Sequence, residues 1–215
     1  MQPWSFTCPD ALAPWRAQIL SEIEATRKAL TKLVPAPALT VELRHAPGRV
    51  IPEIGMVGYS PSATRFSLTF DSTNPHFAPS LADGTLRRQV AHEVHHCLRY
   101  AGPGYGRSLG EALVSEGLAG QFVNRLYGTP PEPWERAVEP RVAWRFLPDA
   151  KTLAAPMYDH NAWFFGSGGQ YPRWLGYTLG YLLGGRWRAV NAEASGERLV
   201  IVTAAEVLAT AQSFS

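Results

Sequence analysis

The sequence predicts an α+β fold: a single domain over 1–215, mostly helical, with a small sheet ahead of its central helix. Three observations predict it. Alternation of apolar and polar residues is confined to the region before residue 72, the mark of half-buried strands. Beyond residue 82 apolar residues recur every three or four positions, which is the helical period. The 215 residues, 46% of them hydrophobic, are enough to bury one sizeable core and short for two.

In chain order, Asp10 is placed to cap a helix over about 11–33, on which Trp15, Ile19, Ile23, Leu30 and Leu33 recur at helical spacing. Pro35 and Pro37 stop it. Over 40–45, Val41 and Leu43 alternate with Glu42 and Arg44, and over 65–71 Phe66, Leu68 and Phe70 alternate with Ser67 and Thr69, so both segments read as strands. Gly48, Pro52, Gly55, Gly58 and Pro61 make the stretch between them a loop, with room for one short strand over 56–60. Asp83 is a cap for a helix over about 85–101, ending at Gly102-Pro103-Gly104. A second helix runs over 109–127 and stops at Gly128 and the prolines within 130–133. The segment 134–170 has a weaker pattern, with helix over 134–146 interrupted at Pro140. Pro172 opens the last long helix, which reaches about residue 183, and the tail carries a strand at 199–202 and a short helix at 204–211.

Lys and Arg number 20 against 18 Asp and Glu, a formal charge of +2. That balance supplies no field to attract a nucleic acid or an anionic membrane, so neither partner is expected. The first nine residues hold no basic stretch followed by an apolar one, so no secretory signal is read and the cytoplasm is the expected compartment. The most apolar run, 174–183, is about half the length of a membrane span. Cys8 and Cys97 belong to no CxxC pair and read as small apolar residues in a reducing compartment. Trp163, Phe164 and Phe165, beside Gly166, Gly168 and Gly169, read as core rather than as a substrate pocket.

The chemistry lies in His92-Glu93-Val94-His95-His96, an HExxH pattern inside the helix over 85–101. Residues four apart on a helix differ by about 40° around the axis and about 6 Å along it, so two imidazoles so placed meet one ion. Val90, Val94, Cys97 and Leu98 project the other way and can pack. Glu93 projects beside the His92/His96 direction, where a carboxylate reaches water without itself binding the metal. His95 points off that line, toward solvent or into a supporting position. A catalytic zinc takes three protein ligands, so a third is needed. In the next helix Glu116 stands among Leu109, Ala112, Leu113, Ala119, Val123 and Tyr127, where a lone carboxylate is costly unless paired or metal-bound. Glu111 shares its side with Gln121 and Arg125 and reads as solvated or supporting. The turn over 102–108 allows the two helices to pack as a hairpin with His96 and Glu116 at matching levels.

With His92-Glu93-x-x-His96, nineteen intervening residues and then Ser115-Glu116-Gly117-Leu118-Ala119, the chain resembles the gluzincin metallopeptidases. The aminopeptidases among them have a gap one residue shorter. Over roughly 85–185 it is similar to a bacterial domain-of-unknown-function family of predicted Zn-dependent proteases, a likeness carried by 92–96, by 111–119 and by Tyr171-Pro-Arg-Trp-Leu-Gly-Tyr-Thr-Leu-Gly-Tyr181. The resemblance implies a zincin-like domain and a zinc metallopeptidase acting on peptide or protein substrate. Metal-activated water then attacks the peptide carbonyl with Glu93 as general base. The oxyanion needs a donor besides the metal, and Tyr177 is the first choice, with Tyr171, Tyr181, His160 and Arg173 as competitors. Gly176, Gly180 and Gly184 form a small-residue stripe that permits close helix contact. The strand over 65–71 precedes the metal helix, as an edge strand does in zincin folds that this order of elements resembles; an extended peptide adds to such an edge by main-chain hydrogen bonds, and whether this strand lies at one is not visible from sequence. A zinc hydrolase of a small amide and a non-catalytic metal-binding scaffold are the alternatives; the second gives Glu93 no task.

Overall fold

Side chains two apart on a strand share a face, and the predicted alternation is realised on a four-stranded sheet. In the computed structural model, which describes residues 4–212, the strands are Trp4–Thr7 (β1), Leu39–His45 (β2), Met56–Ser62 (β3) and Arg65–Phe70 (β4). Leu39, Val41 and Leu43 of β2 and Phe66, Leu68 and Phe70 of β4 are all buried. β1 has no counterpart in the sequence reading, because four residues opening on a single buried Trp4 carry too short a pattern. The strand order is β1-β2-β4-β3; β1 and β4 run parallel to β2, and β3 runs antiparallel to β4. The position of the strand over 65–71, which the sequence left open, is thereby settled as interior. β2 and β3 take up both sides of β4, and β3 is an outer strand.

By its contacts the chain divides into Met1–Ala101 and Gly102–Ser215. In the first part the helix expected over 11–33 is shorter. Pro14 lies in a 3-10 turn at Asp10–Trp15, the α-helix is Arg16–Leu30 (α1), and Pro9 rather than Asp10 holds the position before the turn. A helix at Phe77–Ala82 (α2) was not anticipated. The HExxH helix is Thr85–Tyr100 (α3). Gly84, at φ 85°, is its first flanking residue, and Asp83 acts one position earlier than expected, its Oδ1 accepting the Thr85 N–H at 2.8 Å. α3 packs on β3 and α1, with Val90, Val94 and Cys97 fully buried.

In the second part Leu109–Tyr127 (α4) matches its predicted bounds and ends at Gly128, φ 66°. The interruption expected at Pro140 is real: a 3-10 turn at Pro133–Arg136 precedes Pro140–Trp144 (α5). Ala150–Ala154 (α6) and a π-helical turn at Asn161–Phe165 follow, with Trp163 and Phe164 buried as expected. The last long helix is Leu175–Val190 (α7), which begins after Pro172 and continues past Gly184 and Gly185. α4 and α7 pack closely, and the predicted glycine stripe is the reason. A Cβ on Gly117 would stand 1.8 Å from the Gly180 carbonyl oxygen, and one on Gly180 would stand 2.3 Å from that of Leu113. The strand expected at 199–202 is instead part of a helix, Gly196–Ile201 (α8), because the Ser195 hydroxyl accepts the Arg198 N–H and caps it. Ala204–Gln212 (α9) agrees with the short helix predicted there. Among the described residues no helix is long and apolar enough to cross a membrane.

Candidate metal centre

On α3 the helical repeat brings His92 and His96 together. Their Nε2 atoms are 3.0 Å apart and their rings meet edge to face, with centroids 4.7 Å apart. His92 is half-buried and His96 is buried. His95 is fully buried, so its solvated reading is corrected. Glu93 is buried over β3, and two residues of that strand hold it there. The Ser60 hydroxyl donates to Glu93 Oε2 at 2.7 Å, with the Glu93 carbonyl oxygen 2.9 Å away. Gly58, one pleat earlier on the same face, makes room: a Cβ there would lie 2.3 Å from Glu93 Oε1. Neither residue figured among the site candidates of the sequence reading, in which Gly58 counted only as a breaker of helical pattern. The signal for Gly58 was present, because a glycine inside a strand pattern marks a close approach. Below them Cys97 packs against Ser60 and Arg65, and burial pushes its thiol up to about 12, as befits an inert apolar cysteine.

Glu116 is buried on α4. Nearly every residue from Leu109 to Val123 is buried too, Val114 and Leu118 included, so α4 is enclosed rather than striped. The Tyr105 hydroxyl donates to Glu116 Oε1 at 2.7 Å. Burial first, and then the Glu116 carboxylate, hold the Tyr105 phenol well above its usual value, so it remains a donor. Glu111 does something else: its Oε2 accepts the Ser108 and Arg107 N–H groups, each at 2.9 Å, and the Ser108 hydroxyl accepts the Glu111 N–H. That is a capping box for α4, and the two amide bonds hold the Glu111 carboxyl below its usual value.

Around Glu116 the second part gathers aromatic side chains. Tyr158 Oη lies 3.2 Å from His160 Nδ1. Burial, with the Glu116 field behind it, pushes the Tyr158 phenol up to about 12. Burial also lowers His160, against the opposing fields of Glu116 and Asp159. His160 stacks on Phe164 at 4.4 Å, and Phe164 meets Tyr177 edge to face at 5.0 Å. Tyr177 is half-buried and close enough to Tyr105 for its charge to bear on that phenol. The remaining donor candidates are engaged elsewhere. Tyr171 stacks on Trp163 at 4.1 Å, the Arg173 guanidinium covers the Trp174 ring at 4.4 Å, and Tyr181 lies by Gly120 and in the field of Glu135. Tyr105 and Tyr158 were missed because each stands in a loop, outside any periodic pattern.

The donor types suit zinc. His92, His96 and Glu116 form a group that could hold a metal ion, and two imidazoles with one carboxylate are a donor set of hydrolytic zinc. Two nitrogens at about 2.0–2.1 Å from a tetrahedral ion stand roughly 3.3 Å apart. The 3.0 Å pair on α3 is within a few tenths of an ångström of that spacing. Among known proteins, a family model described as "Predicted Zn-dependent protease (DUF2268)" matches residues 19–208. No curated protein and no solved structure matches.

Proposed function

The chain belongs to this family of predicted Zn-dependent proteases, and from that premise we propose that it is a zinc metallopeptidase built as one zincin-like domain over 1–215. His92, His96 and Glu116 hold the ion, Glu93 is the general base and Tyr177 is the oxyanion donor. Zinc in that set supplies a Lewis acid that polarises a carbonyl and makes water a stronger acid. The residues of the chain do the rest. Glu93 takes a proton from the water as its oxygen adds to the peptide carbon, then delivers that proton to the departing amine nitrogen. The Ser60 hydroxyl and the space over Gly58 fix which way the Glu93 carboxylate faces. A phenol O–H from Tyr177 stabilises the oxyanion.

One observation carries the reading. The paired imidazoles on α3 stand next to a buried carboxylate that the sheet holds in place. A metal site that only braced the fold would have no use for that carboxylate. Zinc analysis of the purified chain is expected to find about one ion per chain. Glu93→Gln should keep the zinc and lower peptide turnover by about 10²–10⁴-fold; an unchanged rate removes Glu93 from the chemistry. For the donor, a rival pair is favoured by its own geometry: Tyr158 and His160 are hydrogen-bonded, and both feel the Glu116 field. A larger fall in kcat for Tyr158→Phe than for Tyr177→Phe selects that pair. Turnover of small amides alone, with every peptide resistant, selects the small-amide hydrolase.

A further inference from the structure

The loop ahead of α4 carries a residue whose geometry has no purpose in a loop that merely connects. Tyr105 stands between Gly104 at φ 85° and Gly106 at φ 96°, a backbone course that only glycine adopts freely. It is tied at both ends. Its carbonyl oxygen accepts the Ser115 hydroxyl at 2.8 Å, and its own hydroxyl reaches Glu116 Oε1 at 2.7 Å. The two bonds land on adjacent residues of α4. Gly106 cannot be replaced without moving the capping box, since a Cβ there would stand 2.2 Å from that of Glu111.

We propose that Tyr105 is a positioning residue for Glu116: its O–H, bonded to Oε1, fixes the rotation of the carboxylate that is offered to a metal ion. The inference rests on the assignment of Glu116 as a zinc ligand and adds how that ligand is aimed. A free carboxylate turns about its last torsion and presents either oxygen or both. A phenol fixed through its backbone to the preceding residue removes that freedom. The same bond stabilises the ionised form that a ligand needs on a buried side chain. Groups that orient a ligand in this way are typically worth about 10–100-fold in metal affinity.

The test is zinc affinity of the full chain by competition with a chromophoric chelator, together with the visible spectrum of the cobalt(II)-loaded protein. Tyr105→Phe keeps the ring and removes only the O–H. It is expected to weaken zinc by about 10–100-fold and to shift the cobalt bands as the carboxylate changes its mode of ligation. Ser115→Ala, which releases the Tyr105 carbonyl, should weaken zinc in the same direction by a smaller factor. Glu116→Ala separates the two levels of the argument. If the wild-type chain retains zinc and Glu116→Ala loses it, while Tyr105→Phe stays within twofold with unchanged cobalt bands, the positioning role is overturned and the metal assignment stands. If Glu116→Ala binds zinc as tightly as the wild type, the metal assignment itself fails and takes the role of Tyr105 with it.

Discussion

α3 and α4 each carry proposed ligands, and they hold them by different means. α3 lies on a sheet. His92 and His96 meet because they are four residues apart on one helix, and the Glu93 carboxylate is bonded by Ser60 and given room by Gly58, two residues of β3 on the same pleated face. α4 is enclosed by other helices, and its one proposed ligand, Glu116, is held by a tyrosine eleven residues earlier in the chain. A pair on one helix is set by the helical repeat and needs only that the helix form. A lone carboxylate has no such internal partner, so its direction depends on the close approach of α7 and on the course of a loop.

If α4 depends on tertiary packing as this contrast requires, its glycine contact is the most sensitive point in that part of the chain. Gly117→Ala would drive a methyl to 1.8 Å from the Gly180 carbonyl oxygen, backbone against backbone. Neither helix can relieve that by turning a side chain. The expected cost is about 3 kcal/mol or more, read as a fall in the midpoint of thermal or urea unfolding. A change below about 0.5 kcal/mol, the size of an ordinary surface substitution, would break the contrast.

The matching change on the sheet side tests geometry more than stability. In Gly58→Ala the new methyl meets the end of the Glu93 side chain, 2.3 Å from Oε1, and that end can swing aside. The fold should survive with a loss of about 1 kcal/mol. The carboxylate should no longer face the substrate carbonyl, and a misplacement of about 1 Å is worth on the order of 10²-fold in rate. Zinc content is expected to stay at the wild-type level, because Gly58 touches the base and neither histidine is altered. Lost zinc with turnover per bound ion unchanged would sever β3 from the chemistry.

What could be read in advance follows the same division. His92, Glu93 and His96 were legible because their relation is contained in one helical repeat. α4 was legible in its bounds, since Gly128 and the prolines after it are local stop signals, whereas the cap formed by Ser108 and Glu111 went unread. Gly58 and Ser60 act on Glu93 from about thirty-three residues away, and only the glycine left a mark that sequence could show. Tyr105 and Tyr158 sit in loops, where spacing carries no directional information. The strand expected at 199–202 failed for a related reason: Leu199, Val200, Ile201 and Val202 are good strand residues, yet a single hydroxyl at Ser195 satisfies the first turn of a helix and decides the matter. Where the strand over 65–71 sits in the sheet could not be read because pairing order is a tertiary property, and β1 lay in a segment too short to recognise.

Glu111 gives the smallest effect and the cleanest contrast with Glu116, five residues away on the same helix. Its carboxylate is spent on the amide N–H groups of Arg107 and Ser108, so Glu111→Ala should leave zinc affinity unchanged and cost about 1 kcal/mol of stability at pH 7. The pH dependence follows from the direction of its shift. Those amide bonds hold the carboxyl below its usual value in the folded chain, so the unfolded chain takes up a proton first as the pH falls. The capping contribution is therefore fully present above the unfolded value of about 4.3 and is lost as the pH drops through the lower, folded value. Urea unfolding of wild type and Glu111→Ala should differ at pH 7 and converge on acidification below about 4.3. A gap that stays constant down to full protonation would mean that the loss comes from the aliphatic part of the side chain against Gly106 and not from the charge, and a loss of zinc in the same variant would move the ligand assignment from Glu116 toward Glu111.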